Sequence, residues 1–223
     1  MSAAHPPARV VRDGHDGRAA AVRVLRDGGI VALPTDTVYG IGCALDTRGG
    51  IEALFAAKKR PPDRAIMLLL ADAQQAWQLG VETAAARVLA ERFWPGGMTL
   101  VLERRAAVTL PAVMTAGAPT VGLRVPAHDC PRALARHVGP FPVTSANRSG
   151  EPELQDAQAI LSSLGGSVDL VVDGGPAAGG PASSVVDCSR PRPRLIRAGA
   201  IDPGSLAVTL DAAGIAHDIA AGD

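Results

Sequence analysis

Residues 28–42 read GGIVALPTDTVYGIG. Residues 30–33 are apolar, partly β-branched and entered from a Gly-Gly turn, which predicts a short buried strand. Pro34 ends it, and Thr35, Asp36 and Thr37 follow before the chain returns to Val38 and Tyr39. Three small polar side chains at the end of a core strand need hydrogen-bond partners. Either they cap the next element, or they face something that is not protein.

Outward from this stretch, strands and helices alternate. GRAAAVRVLRDGG (17–29) puts Ala21, Val24 and Leu25 on one helical face and stops at its glycines. TRGGIEALFAAKKR (47–60) reads as a helix ended by Pro61-Pro62. Further helices are expected in 73–80, 83–94, 130–139, 153–166 and 202–214, and strands in 65–70, 98–103, 120–126, 141–147, 168–175, 183–189 and 194–201. Several strands follow one another directly, so the expected class is α/β with a mixed sheet. No repeat or low-complexity linker interrupts the chain, which predicts one domain. Residues 1–16 read as a flexible lead-in, 17–210 as the folded domain and 211–223 as a tail.

The 223 residues are 47% hydrophobic and 20% charged, with formal net charge zero and only 3% aromatics. A neutral chain has no overall pull towards nucleic acid, although local basic clusters can supply one. Cys43, Cys130 and Cys188 are far apart and show no ligand or disulfide spacing; they read as small buried hydrophobes. The charged N-terminus has no apolar core of a signal peptide, and the longest apolar run falls well short of the roughly 18 residues that cross a bilayer. A cytoplasmic protein that makes no membrane contact is expected.

The polar exit recurs. VALPTDT leaves a strand into Thr and Asp, FPVTSANRSG leaves one into Thr144, Ser145, Asn147 and Ser149, and PASSVVD enters one through Ser183 and Ser184. Each alone reads as a cap or turn. Together they predict one donor-rich pocket, because ligands in open α/β sheets sit where strand ends converge. Lys58, Arg60, Arg124 and Arg197 lie beside turns or strand ends and are candidates for anion binding. Lys59, Arg190 and Arg192 read as solvated charge. No phosphate-binding G-x-x-x-x-G-K-[ST], no G-x-S-x-G and no H-E-x-x-H occurs, and the five histidines read as surface or capping residues. The pocket offers binding and charge neutralisation without an evident nucleophile.

LPTDTVYGIG, KKRPPDR, WPGGMTLVL, TVGLRVPAH, PVTSANRSG, SSVVD and LIRAGAI, in this order and spacing, resemble the YrdC-like family of threonylcarbamoyl-AMP synthases over residues 28–201. The resemblance implies a single-domain, twisted mixed sheet flanked by helices, with a concave ligand cleft, in a short form without an accessory domain. It implies an L-threonylcarbamoyladenylate synthase, a nucleotidyltransferase condensing L-threonine, bicarbonate and ATP with release of pyrophosphate. Downstream tRNA-modifying proteins would then transfer the product to an adenosine beside the anticodon, with weak tRNA contact.

By the same resemblance, Thr35, Arg124 and Ser183 contact L-threonine, Arg124 through its carboxylate. Lys58 and Arg60 grip the triphosphate, and Thr120, Val143, Ser145, Asn147 and Arg197 complete the nucleotide contacts. Lys58, Arg60 and Arg124 carry catalysis. Mg2+ is expected to be held mainly by the nucleotide, with no metal site of the protein's own. Asp36 stands where glutamate is usual, and Leu69 where some members carry a histidine. Two alternatives stay open: an RNA-binding module without catalysis, and a carbamoyl-adenylate enzyme with another acceptor.

Overall fold

The computed structural model describes residues 7–177 and 179–220. Among them the chain forms β1 (Arg9–Arg12), α1 (His15–Arg26), β2 (Val31–Leu33), β3 (Gly40–Gly42), α2 (Gly50–Lys58) and β4 (Met67–Leu69). Next come α3 (Ala73–Leu79), α4 (Ala84–Phe93), β5 (Met98–Glu103), α5 (Ala112–Thr115), β6 (Thr120–Arg124) and α6 (Asp129–Val138). The last elements are β7 (Phe141–Ser145), α7 (Ala157–Leu164), β8 (Leu170–Asp173), β9 (Ser184–Asp187), β10 (Arg194–Arg197) and α8 (Pro203–Ala212). All ten strands join one sheet, in the order β1-β8-β2-β3-β7-β4-β6-β5-β9-β10. Parallel and antiparallel pairs mix, as expected for neighbouring strands joined sometimes by a turn and sometimes by a helix.

Strand alternation divides the core. Ala32, Ile41, Leu68, Leu100, Leu123, Val171 and Val186 point to one face, where they pack with Leu54 of α2, Leu89 of α4, Ile160 of α7 and Leu210 of α8. The alternate residues Val31, Leu33, Leu69, Phe141, Leu170 and Val172 point to the other face, where Leu25 of α1 and Leu134 of α6 cover them. That second cover stops part-way along the sheet. Beyond it, the same alternation brings Thr99, Val101, Thr120, Gly122, Arg124 and Val185 to line an open cavity.

Several segments depart from expectation, the four-residue α5 among them. The expected lead-in, 1–16, carries β1, which pairs in parallel with β8, and its last residues start α1. Arg9–Arg12 is mostly exposed, so an apolar run could not announce it; the edge of β8 recruits it through backbone hydrogen bonds, with Val11 packing on the core beside it. The expected tail, 211–223, begins inside α8, and Ile219 beyond it is only 5% exposed while Asp218 pairs with Arg192 at 2.6 Å. Residues 1–6 and 221–223 lie outside the described residues. Finally, β3 is Gly-Ile-Gly, where no strand is expected because glycine is depleted in strands. A Cβ on Gly42 would lie 2.7 Å from the Pro142 carbonyl oxygen and 2.8 Å from Val143 Cγ2, so the close approach to β7 requires glycine there.

Candidate functional site

The polar stretch after β2 is a compact turn. Thr35 Oγ1 donates to Val38 O at 2.6 Å and accepts from the Thr37 amide at 3.2 Å. With that proton committed, Thr37 donates to Thr35 Oγ1 across 3.2 Å and itself accepts from Arg124 Nη1 at 3.0 Å. The chain Arg124–Thr37–Thr35–Val38 therefore runs in one direction. Thr35 is buried behind the cavity, whereas Thr37 and Val38 line it. The question raised by the sequence has a divided answer: Thr35 holds the turn, and Thr37 and Asp36 hold a cation.

That cation is Arg124, whose side chain is 3% exposed. Asp36 Oδ1 accepts from its Nη2 at 2.7 Å, and the Gly96 carbonyl accepts from its Nε at 3.0 Å. Burial pulls the Arg124 pKa down and the carboxylate of Asp36 opposes that shift. The remaining N–H groups belong to a guanidinium that lines the cavity.

Lys58 ends α2 and is 2% exposed. Its ammonium donates to Ser145 O at 2.6 Å, Ser145 Oγ at 3.2 Å and Asn147 Oδ1 at 2.8 Å, which uses all three of its protons. Burial, helped by nearby Arg60, pushes its pKa down to about 8. Lys58 and Asn147 stand behind the cavity, and Ser145 lines it. Arg60 reaches over from the Pro-Pro corner, held by the Arg64 and Ala65 carbonyls at 3.0 and 2.6 Å. Arg197 of β10 donates from Nε and Nη2 to Ser183 O at 3.0 and 2.7 Å, and from Nη2 to Ser183 Oγ at 3.1 Å. Burial lowers the pKa of Arg60 and of Arg197, and repulsion from Arg64 and then from Arg197 lowers that of Arg60 further.

The cavity encloses about 440 Å3. Of the sequence-derived candidates, Arg60, Thr120, Arg124, Val143, Ser145, Ser183 and Arg197 line it, and Lys58, Thr35 and Asn147 support them from behind. Among the described residues Glu153 is the one carboxylate that lines it, against three guanidinium groups, so the site suits an anion. Leu69 is buried under α1 and α6 instead; Met67, two residues earlier on the same face, lines the cavity. Sequence reasoning also missed Thr99, whose hydroxyl lies 2.8 Å from Ser183 Oγ. Its signal was present as the single polar residue within the apolar run of MTLVL.

The Sua5/YciO/YrdC family, described as "Telomere recombination", matches residues 23–199, and the chain belongs to it. The threonylcarbamoyl-AMP synthase of Bacillus subtilis (strain 168) is 38% identical over 82% of this chain and 53% of the relative. That of Pyrococcus abyssi (strain GE5 / Orsay) is 36% identical over 81% of this chain and 53% of the relative. This chain thus spans about half the length of these two relatives. The crystal structure of P. abyssi Sua5 complexed with L-threonine superposes with a TM-score of 0.84 at 32% identity, covering 94% of this chain and 61% of that one.

Proposed function

We propose that the chain synthesises L-threonylcarbamoyladenylate from L-threonine, bicarbonate and ATP, with release of pyrophosphate. The observation that carries this reading is the convergence of Arg60, Arg124 and Arg197 on one cavity whose described lining residues include a single carboxylate. The relatives named threonylcarbamoyl-AMP synthase and the relative bound to L-threonine support it.

In the first step the threonine amine attacks the carbon of CO2 derived from bicarbonate; a C–N bond forms and a proton leaves. An oxygen of the resulting carbamate then attacks the α-phosphorus of ATP in line, and pyrophosphate departs with the electron pair of the broken P–O bond. Every bond is formed by substrate atoms, so the protein needs no nucleophile of its own. Arg124 holds the threonine carboxylate, Ser183 contacts the same amino acid, and Arg60, Arg197 and the Lys58–Ser145–Asn147 group offset the negative charge of the phosphates. Thr120 and Val143 flank the nucleoside. Mg2+ held mainly by the phosphates belongs to this reading; among the described residues no three His, Cys, Asp or Glu side chains gather to hold it alone. The product serves cytoplasmic tRNA-modifying proteins, with weak tRNA contact; among the described residues no helix is long and apolar enough to cross a membrane.

Pyrophosphate release from ATP in bicarbonate buffer, with and without L-threonine, tests the proposal. Threonine-dependent release with the adduct seen by mass spectrometry is expected. Threonine-independent release, or none from folded protein that binds ATP, would overturn it.

A further inference from the structure

Arg124 and Arg197 reach the cavity from different strands, yet one turn stands behind both. Residues 94–97 join α4 to β5. The Gly96 carbonyl accepts from Arg124 Nε at 3.0 Å, and the next carbonyl, that of Gly97, accepts from the Ser184 amide at 3.0 Å. That amide shares its peptide plane with the Ser183 carbonyl, which accepts from Arg197 at 3.0 and 2.7 Å. Two consecutive carbonyls thus set two of the three guanidinium groups, one directly and one through a rigid peptide unit. The third, Arg60, has its own anchor on the Arg64 and Ala65 carbonyls.

The inner side of the turn is fixed by contact. Gly96 N donates to Val125 O at 2.8 Å, and a Cβ on Gly97 would lie 2.6 Å from Ala200 Cβ, so the loop after β10 abuts it. The outer side is different: Trp94, Pro95 and Val125 line a second cavity of about 440 Å3 there, with Trp77. Close packing therefore does not stop the turn from relaxing outward. The Trp94 indole does. Its Nε1 donates to Met98 O at 2.7 Å across the turn, and its ring stacks on Trp77 with centroids 6.1 Å apart and planes at 29°. Trp94 is not among the described residues that line the ligand cavity, and no step of the proposed reaction uses it.

We infer that Trp94 is a positioning residue: the bond from its indole to Met98 O locks the 94–97 turn, and the turn aims Arg124 and Arg197 into the cavity. The inference rests on the roles proposed above for those two arginines. Donors held in place before the ligand arrives need no reorganisation when it binds. Without the indole bond, part of that ordering falls on the binding step. The threonine end, where the turn holds Arg124 directly, depends on it more than the phosphate end, where Arg60 is anchored separately.

The test compares wild type, Trp94→Phe and Trp77→Phe by pyrophosphate release, with L-threonine and ATP varied in turn and thermal midpoints measured alongside. Trp94→Phe keeps a ring for the stack and removes the N–H. It should raise the threonine KM about 5-fold, the scale of one hydrogen bond, and the ATP KM less. Trp77→Phe trims the stack and keeps the indole bond, and should lower the thermal midpoint with both constants near those of the wild type. The two tryptophans give two indole N–H resonances, which Trp77→Phe assigns. Added L-threonine should shift that of Trp94, a reading that needs no change at Trp94 itself. Wild-type constants in folded Trp94→Phe, equal changes in both variants, or a Trp94 resonance unmoved by saturating threonine would overturn the inference. Calorimetry of each substrate separates it from the reaction. A wild type that binds threonine and ATP and releases no pyrophosphate overturns the reaction, while weaker threonine binding by Trp94→Phe still supports the positioning role. A wild type that binds no threonine overturns both.

Discussion

Asp36 and Arg124, 88 residues apart in sequence, meet at 2.7 Å with side chains 14% and 3% exposed. The pair joins the turn after β2 to the end of β6, so the guanidinium is aimed before any ligand arrives. Removing one partner of a buried pair strands the other charge, which costs far more than the pair contributes. Asp36→Ala should therefore lower unfolding stability by about 3 kcal/mol, read from urea denaturation, and should raise the threonine KM as well. Unchanged stability would mean that Gly96 and Thr37 alone hold Arg124.

Arg124→Ala separates binding from structure. The expected outcome is a large rise in the threonine KM with the ATP KM near that of the wild type. Thermal stability falls in either case, because Asp36 loses its buried partner, but a residue that only supports the sheet would leave both constants alone. Steady-state kinetics with each substrate varied in turn decides between them.

Lys58→Ala and Arg60→Ala should depress ATP use while leaving the sheet intact. Withdrawing one preorganised cation from developing negative charge costs about 2–4 kcal/mol of transition-state stabilisation, on the order of a hundredfold in rate. Single-turnover rates at saturating threonine measure it directly. Wild-type rates in both variants would remove these two residues from the triphosphate role.

Lys58 also makes activity and stability run oppositely with pH. Its folded pKa is about 8 against the ordinary lysine value of 10.5, lowered chiefly by burial and then by Arg60. Between those values the unfolded chain binds more protons than the folded one, so this residue's contribution makes stability rise with pH across that window. Anion binding needs the ammonium, so kcat/KM for ATP should fall as pH rises through about 8. Lys58→Met should flatten the stability slope, as read from urea midpoints measured from pH 7 to 10.

Tyr39 is fully buried, donating to Gly175 O at 2.6 Å and accepting from Gly174 N at 3.0 Å. Tyr39→Phe keeps the ring and leaves two backbone groups without this partner. A loss of about 1–3 kcal/mol in unfolding stability is expected. A value near zero would mean that water replaces the hydroxyl.

Much of this was legible residue by residue. Apolar periodicity located most helices and the central strands, because burial on one face leaves a pattern every two or 3.6 residues. It failed at β3 and β1. Gly40–Gly42 is a strand because β2 and β7 pair with it from both sides, with glycine required where β7 comes close at Gly42, and Arg9–Arg12 because β8 offers an open edge. Both causes are distant in sequence and leave no local periodicity.

The cluster of cationic and hydroxyl residues could likewise be named from strand ends and turns. Whether each faces a ligand or another residue could not. Thr35 and Lys58 are satisfied within the protein, Leu69 lies under helices, and Met67 and Thr99 reach the cavity floor. Local chemistry, read along the chain, determined which elements form and which groups can neutralise an anion. Only the tertiary structure decided where α1 and α6 stop covering the sheet. Side-chain direction alternates along every strand, so the same face is core under a helix and binding site beyond it.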